Sequence, residues 1–366
     1  NLDINNTQNR RNLITDSDIV ISMLPHGFHI LVAKDCILLK KHLITASYVS
    51  KEMYSLHEDA KKSGILILNE CGLDPGIDHM SAMKIIDSLH NKNAKINSFK
   101  SFCGGLISPE SNNNPWGYKF TWNPENVVLA GSQGAEYLEE ESIKSITYKK
   151  LFQNITKVNV PGFGTFESYP NRNSLNYKAK YNLFDAHTII RGTLREKGFS
   201  EAWDVFVQLG FTSKKKGKEI VSKSLFDTYL NKLNNSDINS KMDFLDLFNS
   251  EFLAFNYDSP FHYLLNILKN KWKLSSNDKD MIVMQHVFNY SINLNSYELK
   301  SSMVVTGDDH VNTAMAKTVG LPIFFACKLL LDKRLDKNGV QIPVSKEIYE
   351  PILSGLQKEG ISFVNH

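Results

Sequence analysis

The N-terminal part of the chain alternates between short apolar runs and segments with apolar residues at helical spacing. The apolar runs are β-branched or bounded by turns, as buried parallel strands are. They predict three strands, at DIVISMLP (18–25), HLITASYV (42–49) and GILILNECG (64–72).

Two helices are predicted between these strands. HILVAKDCILLKK has Leu31, Ile37 and Leu38 at helical spacing, and KEMYSLHEDAKKSG is amphipathic and ends at Gly64, a favourable residue after a helix. Strands that alternate with helices in this way imply right-handed crossovers. The prediction is an α/β fold with a Rossmann-like, doubly wound parallel sheet.

The pattern changes after residue 95, where strand-like runs follow each other without a regular helix between each pair. These runs are KINSFKSFCGG, SITYKKLF, HTIIRGTLR, DMIVMQHVF and YELKSSMVV. They predict a second, α+β domain with a mostly antiparallel sheet. A helical insert is expected at about 198–275, where Leu264, Ile267, Leu268 and Trp272 share one helical face.

The C-terminal segment HVNTAMAKTVGLPIFFACKLLLDKRL is mostly helical, with a break or kink expected at Pro322. We expect it to pack back onto the first domain. The predicted organisation is therefore a Rossmann-like domain at 1–90, an α+β domain at 91–306 that carries the insert, and returning helices at 307–366.

Composition and charge narrow the class of protein. The chain has 366 residues, of which 42% are hydrophobic and 22% charged, as in ordinary globular proteins. A net charge of +3 argues against a nucleic-acid binder. No apolar run approaches the roughly 20 residues that span a bilayer, so no membrane partner is expected. The four cysteines lack clustered spacing, which favours a reducing, intracellular compartment.

Candidate chemistry begins at GLDPGIDH, directly after the third strand. Pro75 and Gly76 suit the two central positions of a type II turn, and Asp78 can cap the following helix. Asp74 is then left to point into the crevice at the carboxyl ends of the strands, where ligands bind in this fold class. The alternative is that Asp74 only caps the turn.

Two further groups of residues are candidates. Cys103 is expected to end a strand before two glycines, where its thiol and backbone can approach a ligand, although a strand cysteine can also be an inert small hydrophobe. Arg172 lies in a predicted loop, and Arg191, Thr193 and Arg195 follow at period two. Arginines on one face of a strand form either a carboxylate-binding clamp or a solvated surface.

Several motifs with known chemistry do not occur in the sequence. No G-x-G-x-x-G follows a strand, because GFGTFE has Glu167 in place of the third glycine and does not open a helix. P-loop, H-E-x-x-H and G-x-S-x-G motifs are also missing. His26, His29, His42 and His79 do not have metal-ligand spacing, so no metal site is predicted.

Taken together and in order, these motifs resemble saccharopine dehydrogenases of the glutamate-forming type. The motifs are VISMLPHGFHILVAKDCILLKKHLITASYVS, NECGLDPGIDHMSAMKIID, SFCGGLISPESNNNPWGYKFTW, YPNRNS, HTIIRGTLR and TAMAKTVGLP. The similarity is strongest to the carboxyl-terminal half of the bifunctional α-aminoadipic semialdehyde synthases. It covers nearly the whole chain and is weakest in the helical insert.

The resemblance implies roles for particular residues. Substrate-binding residues of the family match Ala46, Ser47, Arg172, Thr193, Leu194 and Arg195. Those that touch the nicotinamide cofactor, NAD or NADP, match Leu24, Leu73, Asp74, Pro75 and Trp122. The proposed acid–base residues match Tyr48, Asp74 and Cys103. The implied reaction oxidises saccharopine, a secondary amine with three carboxylates, to glutamate and α-aminoadipate semialdehyde in lysine metabolism.

The sequence is compatible with two other functions. One is a dehydrogenase for another N-carboxyalkyl amine, such as carboxynorspermidine, and the other is a non-catalytic regulatory half. The retained arginines and acid–base residues oppose both, whereas the missing glycine-rich loop favours the second.

The resemblance also carries expectations about the surroundings of this chain. Its first strand matches a later strand of the family, so we expect an N-terminally truncated Rossmann-like sheet whose glycine-rich turn lies upstream. Without that segment, residues 1–366 are expected to be poorly stable and to bind neither NAD nor NADP. The expected partners are an upstream lysine-ketoglutarate reductase half, fused to this chain, and further copies in a homo-oligomer. The expected location is the cytoplasm or the mitochondrial matrix.

Overall fold

The structure is a computed structural model that describes residues 3–366 and consists of two compact units. One unit comprises the chain up to Ala94 together with Ala316–Phe363, and the other comprises Lys95–Met315 together with Val364–His366. The unit boundaries lie close to the predicted domain boundaries at residues 90 and 306. Which ligand each unit binds stays a prediction.

The secondary structure elements are as follows, in chain order. The strands are β1 (Ile19–Ile21), β2 (His42–Ile44), β3 (Leu66–Leu68), β4 (Lys95–Ile107), β5 (Ala135–Glu139), β6 (Ser142–Ile146), β7 (Thr156–Val160), β8 (Gly164–Pro170), β9 (Arg172–Asn173), β10 (Thr188–Arg195), β11 (Asp280–Ile292), β12 (Asn295–Thr306), β13 (Gly339–Gln341) and β14 (Val364–Asn365). The helices are α1 (Thr7–Thr15), α2 (His29–Leu39), α3 (Lys51–Ser55), α4 (His57–Lys62), α5 (Ile77–His90), α6 (Pro124–Val128), α7 (Tyr148–Leu151), α8 (Asn176–Lys180), α9 (Phe199–Leu209), α10 (Lys223–Leu233), α11 (Ser236–Leu245), α12 (Ser250–Leu253), α13 (Pro260–Lys271), α14 (Ala314–Leu331) and α15 (Lys346–Lys358). Two 3₁₀ turns lie at His26–Phe28 and Pro109–Ser111.

The sheet of the first unit is parallel, as predicted. Among the described residues it has four strands in the order β1-β2-β3-β13, all paired in parallel. β13 was not predicted, because its three residues lie far along the chain from β3. A core that includes Val32, Cys36, Leu43 and Ile67 packs against this sheet.

Three details of the first unit differ from the prediction. β1 is not fully buried, since it ends the strand order and Ile21 is 50% exposed. α2 buries Val32, Ala33 and Cys36 instead of the predicted face, and Leu38 is exposed. β2 ends at Ile44, because the chain turns after this residue. In the turn, the Thr45 hydroxyl accepts a hydrogen bond from the Ser47 N–H.

The predicted helix that ends at Gly64 is present as two short helices, α3 and α4. α3 begins at an N-cap, since the Ser50 hydroxyl accepts from the backbone of Met53 at 2.9 Å. Leu56 separates the two helices, and Gly64 follows α4 with φ 71, the left-handed conformation that glycine favours.

The second unit contains a larger, mixed sheet, which agrees with the predicted α+β class. The sheet has 10 strands among the described residues, and its main path runs β14-β12-β11-β4-β10-β5-β6. β4 pairs antiparallel with β11 and parallel with β10. SITYKKLF was predicted as one strand, but β6 ends at Ile146 and α7 begins after Thr147.

The predicted helical insert is present as α9 to α13 and has a largely aromatic core. Leu264, Ile267, Leu268 and Trp272 are all buried, which confirms the predicted face of α13. Four rings pack edge-on or stacked around Trp116, at centroid distances of 5.3 to 6.3 Å. Rings in these arrangements stabilise a core beyond the area that they bury.

α14 is the C-terminal helix predicted from the sequence, but it continues through Pro322, so the helix does not break there. By length and composition it is the one helix in the described part of the chain that could cross a membrane. Long apolar helices in protein cores meet the same criteria. Ile323, Ala326 and Leu329 of α14 are buried residues of the first unit.

Candidate functional site

The carboxyl ends of β1, β2 and β3 meet at one edge of the parallel sheet, where this fold class binds ligands. Leu24 follows β1, and Ala46, Ser47 and Tyr48 follow β2. The loop after β3 supplies Asp74, and the Tyr48 hydroxyl donates a hydrogen bond to Asp74 Oδ1 at 2.9 Å. The structure therefore brings together two of the three predicted acid–base residues.

The turn that carries Asp74 is not the predicted type II turn. The Asp74–Pro75 peptide bond is cis, and Gly76 has φ 148 and ψ −85. Isolated bridges join Gly76 to Gly72 and to Leu73 across the turn. A Cβ at Gly76 would lie 2.0 Å from the Gly72 carbonyl oxygen, so the turn requires glycine at this position.

Asp78 does not have the predicted N-cap position, because α5 begins at Ile77 and its N-cap residue is Gly76. Asp78 lies in the first turn of the helix, and its Oδ1 accepts from the Gly76 N–H at 2.6 Å. The side chain thus reaches back to the residue before the helix. A carboxylate at this place also interacts favourably with the helix dipole.

A buried pair that the sequence did not reveal connects these loops. Glu70 is 1% exposed and has φ 55; its Oε1 accepts from the backbone of Val49 at 3.0 Å. Its Oε2 lies 2.7 Å from Nε2 of His79, on α5. The Glu70 N–H donates to the Ser47 carbonyl at 3.0 Å. This residue therefore holds the loop after β2 to the loop after β3.

A second buried connection runs through His29 on α2. Ser22 Oγ lies 2.8 Å from His29 Nδ1, and Ser47 Oγ lies 2.7 Å from His29 Nε2. Burial, together with the nearby charge of His26, lowers the pKa of His29, which favours the neutral ring. The roles of His29 and His79 were not predicted, because neither residue has metal-ligand spacing. His29 begins the helix after the first strand, and His79 lies in the first turn of α5.

A cavity of about 290 Å³ lies at this edge of the first unit. Its lining includes His26, Gly27, His29, Tyr48 and Asn69. No atom lies within 4 Å of a Cβ built on Gly27, so the backbone there faces open space. This volume lies just below the roughly 300–1,000 Å³ of small-molecule sites.

In the second unit, Cys103 does not end a strand as predicted. It lies within β4, which continues to Ile107, and it is buried between Thr193 of β10 and Met284 of β11. The strand continues because Gly104 permits close packing of β4 on β10. A Cβ at Gly104 would lie 2.7 Å from the Leu194 carbonyl oxygen.

β10 carries the other predicted substrate residues. Thr193 is half-buried, Leu194 is fully buried, and Arg195 is 3% exposed. Arg195 Nη1 donates to the Leu194 carbonyl at 2.9 Å. Its guanidinium lies over the rings of Tyr118, Tyr169 and Phe199, at distances of 4.9, 5.9 and 5.2 Å.

The Arg195 side chain lacks the carboxylate that usually accompanies a buried guanidinium. Among the residues that the structure describes, no carboxylate forms an ion pair with it, and its buried Nε has no hydrogen-bond partner. Buried charges are normally paired, because removing a charge from water costs several kcal/mol. Burial raises the pKa of Tyr118, and the Arg195 charge opposes that rise.

Arg191 of β10 is buried, whereas Arg172 and Trp122 of the second unit are exposed. Arg172 begins the short strand β9, instead of lying in a loop, and its φ of 53 is unusual for a residue other than glycine. β9 pairs with β5 in parallel through Ala135. Trp122 is 42% exposed. In residues 3–366, no group of three or more His, Cys, Asp or Glu side chains is arranged to hold a metal ion.

Two family profiles match the chain over nearly its whole length. The profile described as "Saccharopine dehydrogenase C-terminal domain" matches residues 72–361. The profile described as "Saccharopine dehydrogenase NADP binding domain" matches residues 1–68.

Curated relatives show the same similarity. The alpha-aminoadipic semialdehyde synthase of Arabidopsis thaliana is 36% identical, over 99% of this chain and 38% of the relative. The mitochondrial alpha-aminoadipic semialdehyde synthase of Rattus norvegicus is 37% identical, over 96% of this chain and 41% of the relative. The chain thus spans about two fifths of these synthases. The saccharopine dehydrogenase (NADP(+), L-glutamate-forming) of Saccharomyces cerevisiae is 34% identical, over 98% of this chain and 86% of the relative.

Solved structures agree with these relatives. Apo saccharopine dehydrogenase (L-Glu forming) from Saccharomyces cerevisiae superposes with a TM-score of 0.89 at 31% identity, over 100% of this chain and 88% of the other. A homospermidine synthase from Legionella pneumophila superposes with a TM-score of 0.59 at 9% identity, over 98% of this chain and 78% of the other. The second similarity concerns the fold alone.

Proposed function

This chain belongs to the saccharopine dehydrogenase family, and we propose that it interconverts saccharopine with glutamate plus α-aminoadipate semialdehyde. In the oxidative direction, the secondary amine loses a hydride to NAD or NADP and becomes an imine. Water adds to the imine, and the adduct collapses to the aldehyde and the amine of glutamate. The reaction consumes one water and releases one proton, and it belongs to lysine metabolism.

The observation that carries this proposal is the buried, unpaired guanidinium of Arg195. Its Nε has no partner within the described residues, and the surrounding rings of Tyr118, Tyr169 and Phe199 provide no anion. A bound carboxylate would complete the hydrogen bonding and neutralise the buried charge. Saccharopine carries three carboxylates, so it meets this requirement.

The remaining substrate contacts are proposed for each unit separately. In the first unit, Ala46 and Ser47 follow β2 and would contact the substrate through the backbone and a hydroxyl. In the second unit, Thr193 and Leu194 precede Arg195 on β10, and Arg172 supplies a second guanidinium. Two guanidinium groups and a hydroxyl suit a substrate rich in carboxylates.

Proton transfer is proposed to involve Asp74, Tyr48 and Cys103. The substrate amine must lose a proton before a hydride can leave, and a carboxylate such as that of Asp74 can accept it. Tyr48 donates to Asp74 Oδ1, which fixes the orientation of the carboxylate. Cys103 supplies a thiol from the interior of β4 in the second unit.

The residues at the sheet edge of the first unit fit part of a nicotinamide dinucleotide. The open backbone at Gly27 and the cavity of about 290 Å³ leave space for a ligand at this edge. We propose that the backbone at Leu24 and the segment Leu73, Asp74 and Pro75 hold the cofactor in the first unit. Trp122 is proposed as a further cofactor-binding residue because it matches one in the family. When bound, the nicotinamide supplies the hydride acceptor.

The domain roles and the surroundings of the chain are part of the same proposal. Residues 1–90 and 307–366 would bind the dinucleotide, and residues 91–306 would bind saccharopine and support a homo-oligomer. By analogy with the synthases, an upstream lysine-ketoglutarate reductase half is the proposed fusion partner. The proposed location is intracellular, in the cytoplasm or the mitochondrial matrix.

Formation of reduced nicotinamide by the complete polypeptide, purified with any segment that lies upstream of residue 1, tests the proposal. Saccharopine, carboxynorspermidine and buffer alone would each be incubated with NAD and, separately, with NADP. We expect absorbance at the wavelength of reduced nicotinamide only with saccharopine, together with stoichiometric glutamate. Turnover of carboxynorspermidine in place of saccharopine would instead assign another N-carboxyalkyl amine. Dinucleotide binding without turnover of either substrate would indicate a regulatory half.

A further inference from the structure

His29 joins the ends of two parallel strands through both of its ring nitrogens. Nδ1 lies 2.8 Å from Ser22 Oγ, directly after β1, and Nε2 lies 2.7 Å from Ser47 Oγ, after β2. Ser22 and His29 are each 3% exposed, whereas Ser47 is only partly buried. His29 and Ser47 therefore connect a closed interior to an accessible edge of the sheet.

The ring can be protonated on either nitrogen, and the burial of Ser22 decides between them. In the described residues, His29 Nδ1 is the one hydrogen-bond partner of the Ser22 hydroxyl. If Nδ1 carried the proton, the buried Ser22 hydroxyl would accept that bond, and its own proton would have no acceptor. Buried polar groups are rarely left in that state, because it costs about 1–3 kcal/mol. The proton therefore lies on Nε2, and Ser22 donates to Nδ1.

This tautomer determines what Ser47 presents to a ligand. With the proton on Nε2, His29 donates to Ser47 Oγ, and the hydroxyl proton of Ser47 is available for an acceptor. With the proton on Nδ1, Ser47 would donate to His29 and present only lone pairs to a ligand. The first arrangement suits a carboxylate, and the second repels one. The lowered pKa of His29, caused by burial and by His26, agrees with a neutral ring that has a single proton.

We propose that His29 is a positioning residue that makes Ser47 an obligate hydrogen-bond donor, and that it thereby selects a substrate carboxylate at this point. The inference deepens the proposed function and rests on the proposed contact between Ser47 and saccharopine. Asp74, Tyr48 and Cys103 retain their proposed roles in proton transfer. His29 acts through Ser47 and does not itself touch the reacting atoms.

Two substitutions of His29 show which of its two hydrogen bonds matters, because each can keep only one of them. His29→Gln places an amide nitrogen near the position of Nε2, so it can still donate to Ser47. His29→Asn places its amide near the position of Nδ1 and cannot reach Ser47. We expect His29→Asn to raise KM for saccharopine about tenfold, with kcat changed less than about threefold, and His29→Gln to remain within about threefold of wild type in both. His90→Asn and His90→Gln, at an exposed histidine that ends α5, are the matched controls.

The ring nitrogens of His29 can be observed without any turnover. Correlation spectra of the full chain with ¹⁵N-labelled histidine distinguish a protonated ring nitrogen from an unprotonated one, and the signal missing in His29→Gln assigns the residue. We expect a neutral ring protonated on Nε2. Ser22→Ala should shift the equilibrium toward Nδ1 protonation and raise KM for saccharopine.

The outcomes distinguish this inference from the proposed function. If wild type does not oxidise saccharopine, the proposed function fails, and the tautomer of His29 still tests the hydrogen-bond assignment. If wild type does oxidise saccharopine but His29→Asn has an unchanged KM, the positioning role is wrong and the function stands. An Nδ1-protonated ring in the wild-type spectrum would overturn the inference in either case.

Discussion

The Tyr48 hydroxyl lies 2.9 Å from Asp74 Oδ1 and donates a hydrogen bond to it. Tyr48 comes from the loop after β2 and Asp74 from the loop after β3, so the pair depends on parallel pairing of these strands. The bond orients the carboxylate of Asp74 at the carboxyl ends of these strands. Loss of either side chain should therefore affect the same chemical step.

Asp74→Asn is expected to lower kcat for saccharopine on the order of 10²-fold, since an amide cannot accept the amine proton. Tyr48→Phe removes only the orienting donor and should have a smaller effect. In the double variant the two losses should be less than additive, because the residues share one hydrogen bond. Steady-state kinetics of the four proteins give this result, with the exposed Asp59→Asn as control. Wild-type turnover by Asp74→Asn would reduce this residue to a structural part of its turn.

The fold could be predicted largely because its signals are local. The alternation of β1, α2, β2 and β3 lies within a short stretch of chain, and each element has its own apolar pattern. β13 was not predictable in this way, because Gly339–Gln341 is too short to show a period and pairs with β3 from far along the sequence. The turn at Asp74 was mispredicted, since the crowding of Gly76 by the Gly72 carbonyl depends on three-dimensional packing.

The site residues at strand ends could be predicted from the sequence, whereas the buried residues that hold the loops together could not. Asp74 and Tyr48 could be named because they lie at strand ends and match the motifs of a family. Glu70, His79 and His29 form their hydrogen bonds with residues that have no characteristic spacing in sequence. The sequence also did not decide whether Arg195 is exposed or buried. Arginines at every second or fourth position of a strand fit a solvated surface as well as a carboxylate-binding clamp.

Arg195→Lys should mainly raise KM for saccharopine, by about tenfold or more, which corresponds to the lower end of the 1.5–3 kcal/mol of a charged hydrogen bond. Lysine keeps the charge but cannot form two parallel bonds to a carboxylate, and it stacks less well on the three rings. Arg334→Lys is the matched control, since Arg334 is exposed. A lower melting temperature with an unchanged KM would assign Arg195 to the packing of the aromatic core.

Cys103→Ser is expected to have a milder effect on kcat than Asp74→Asn. The serine hydroxyl can occupy the same buried position in β4 and can still form a hydrogen bond, but it does not ionise where a thiol can. The informative measurement is the pH profile of kcat/KM, in which the alkaline limb should change. Cys327→Ser, at a half-buried cysteine, serves as control. If rate and profile both match wild type, Cys103 is a packed strand residue beside Gly104.

Asp278 and Lys119 form a buried ion pair that should make the second unit sensitive to acid. Lys119 Nζ lies 2.6 Å from Asp278 Oδ2, which also accepts from the backbone of Ser275 at 2.6 Å. Burial raises the pKa of Asp278, but the hydrogen bonds from Lys119 and Ser275 and the lysine charge outweigh it, so the pKa lies below its ordinary value. A carboxyl group with a lowered pKa stabilises the folded state above its unfolded pKa, and this contribution is lost as the pH falls through the folded pKa.

Asp278→Asn should therefore destabilise the protein by about 3–5 kcal/mol at neutral pH, because it leaves the Lys119 ammonium buried without its partner. The difference in melting temperature from wild type should be largest at neutral pH. It should shrink as the pH falls below 3.8, the ordinary pKa at which the unfolded carboxyl begins to protonate, and it should be lost below the lower pKa of the folded state. Thermal melts at several pH values measure this difference, with Asp227→Asn on the exposed face of α10 as control.

A second variant, Lys119→Met with Asp278→Leu, removes both charges and should recover much of the lost stability. A difference that is equal in acid and at neutral pH would show that Asp278 stabilises the fold through its shape and not through its charge.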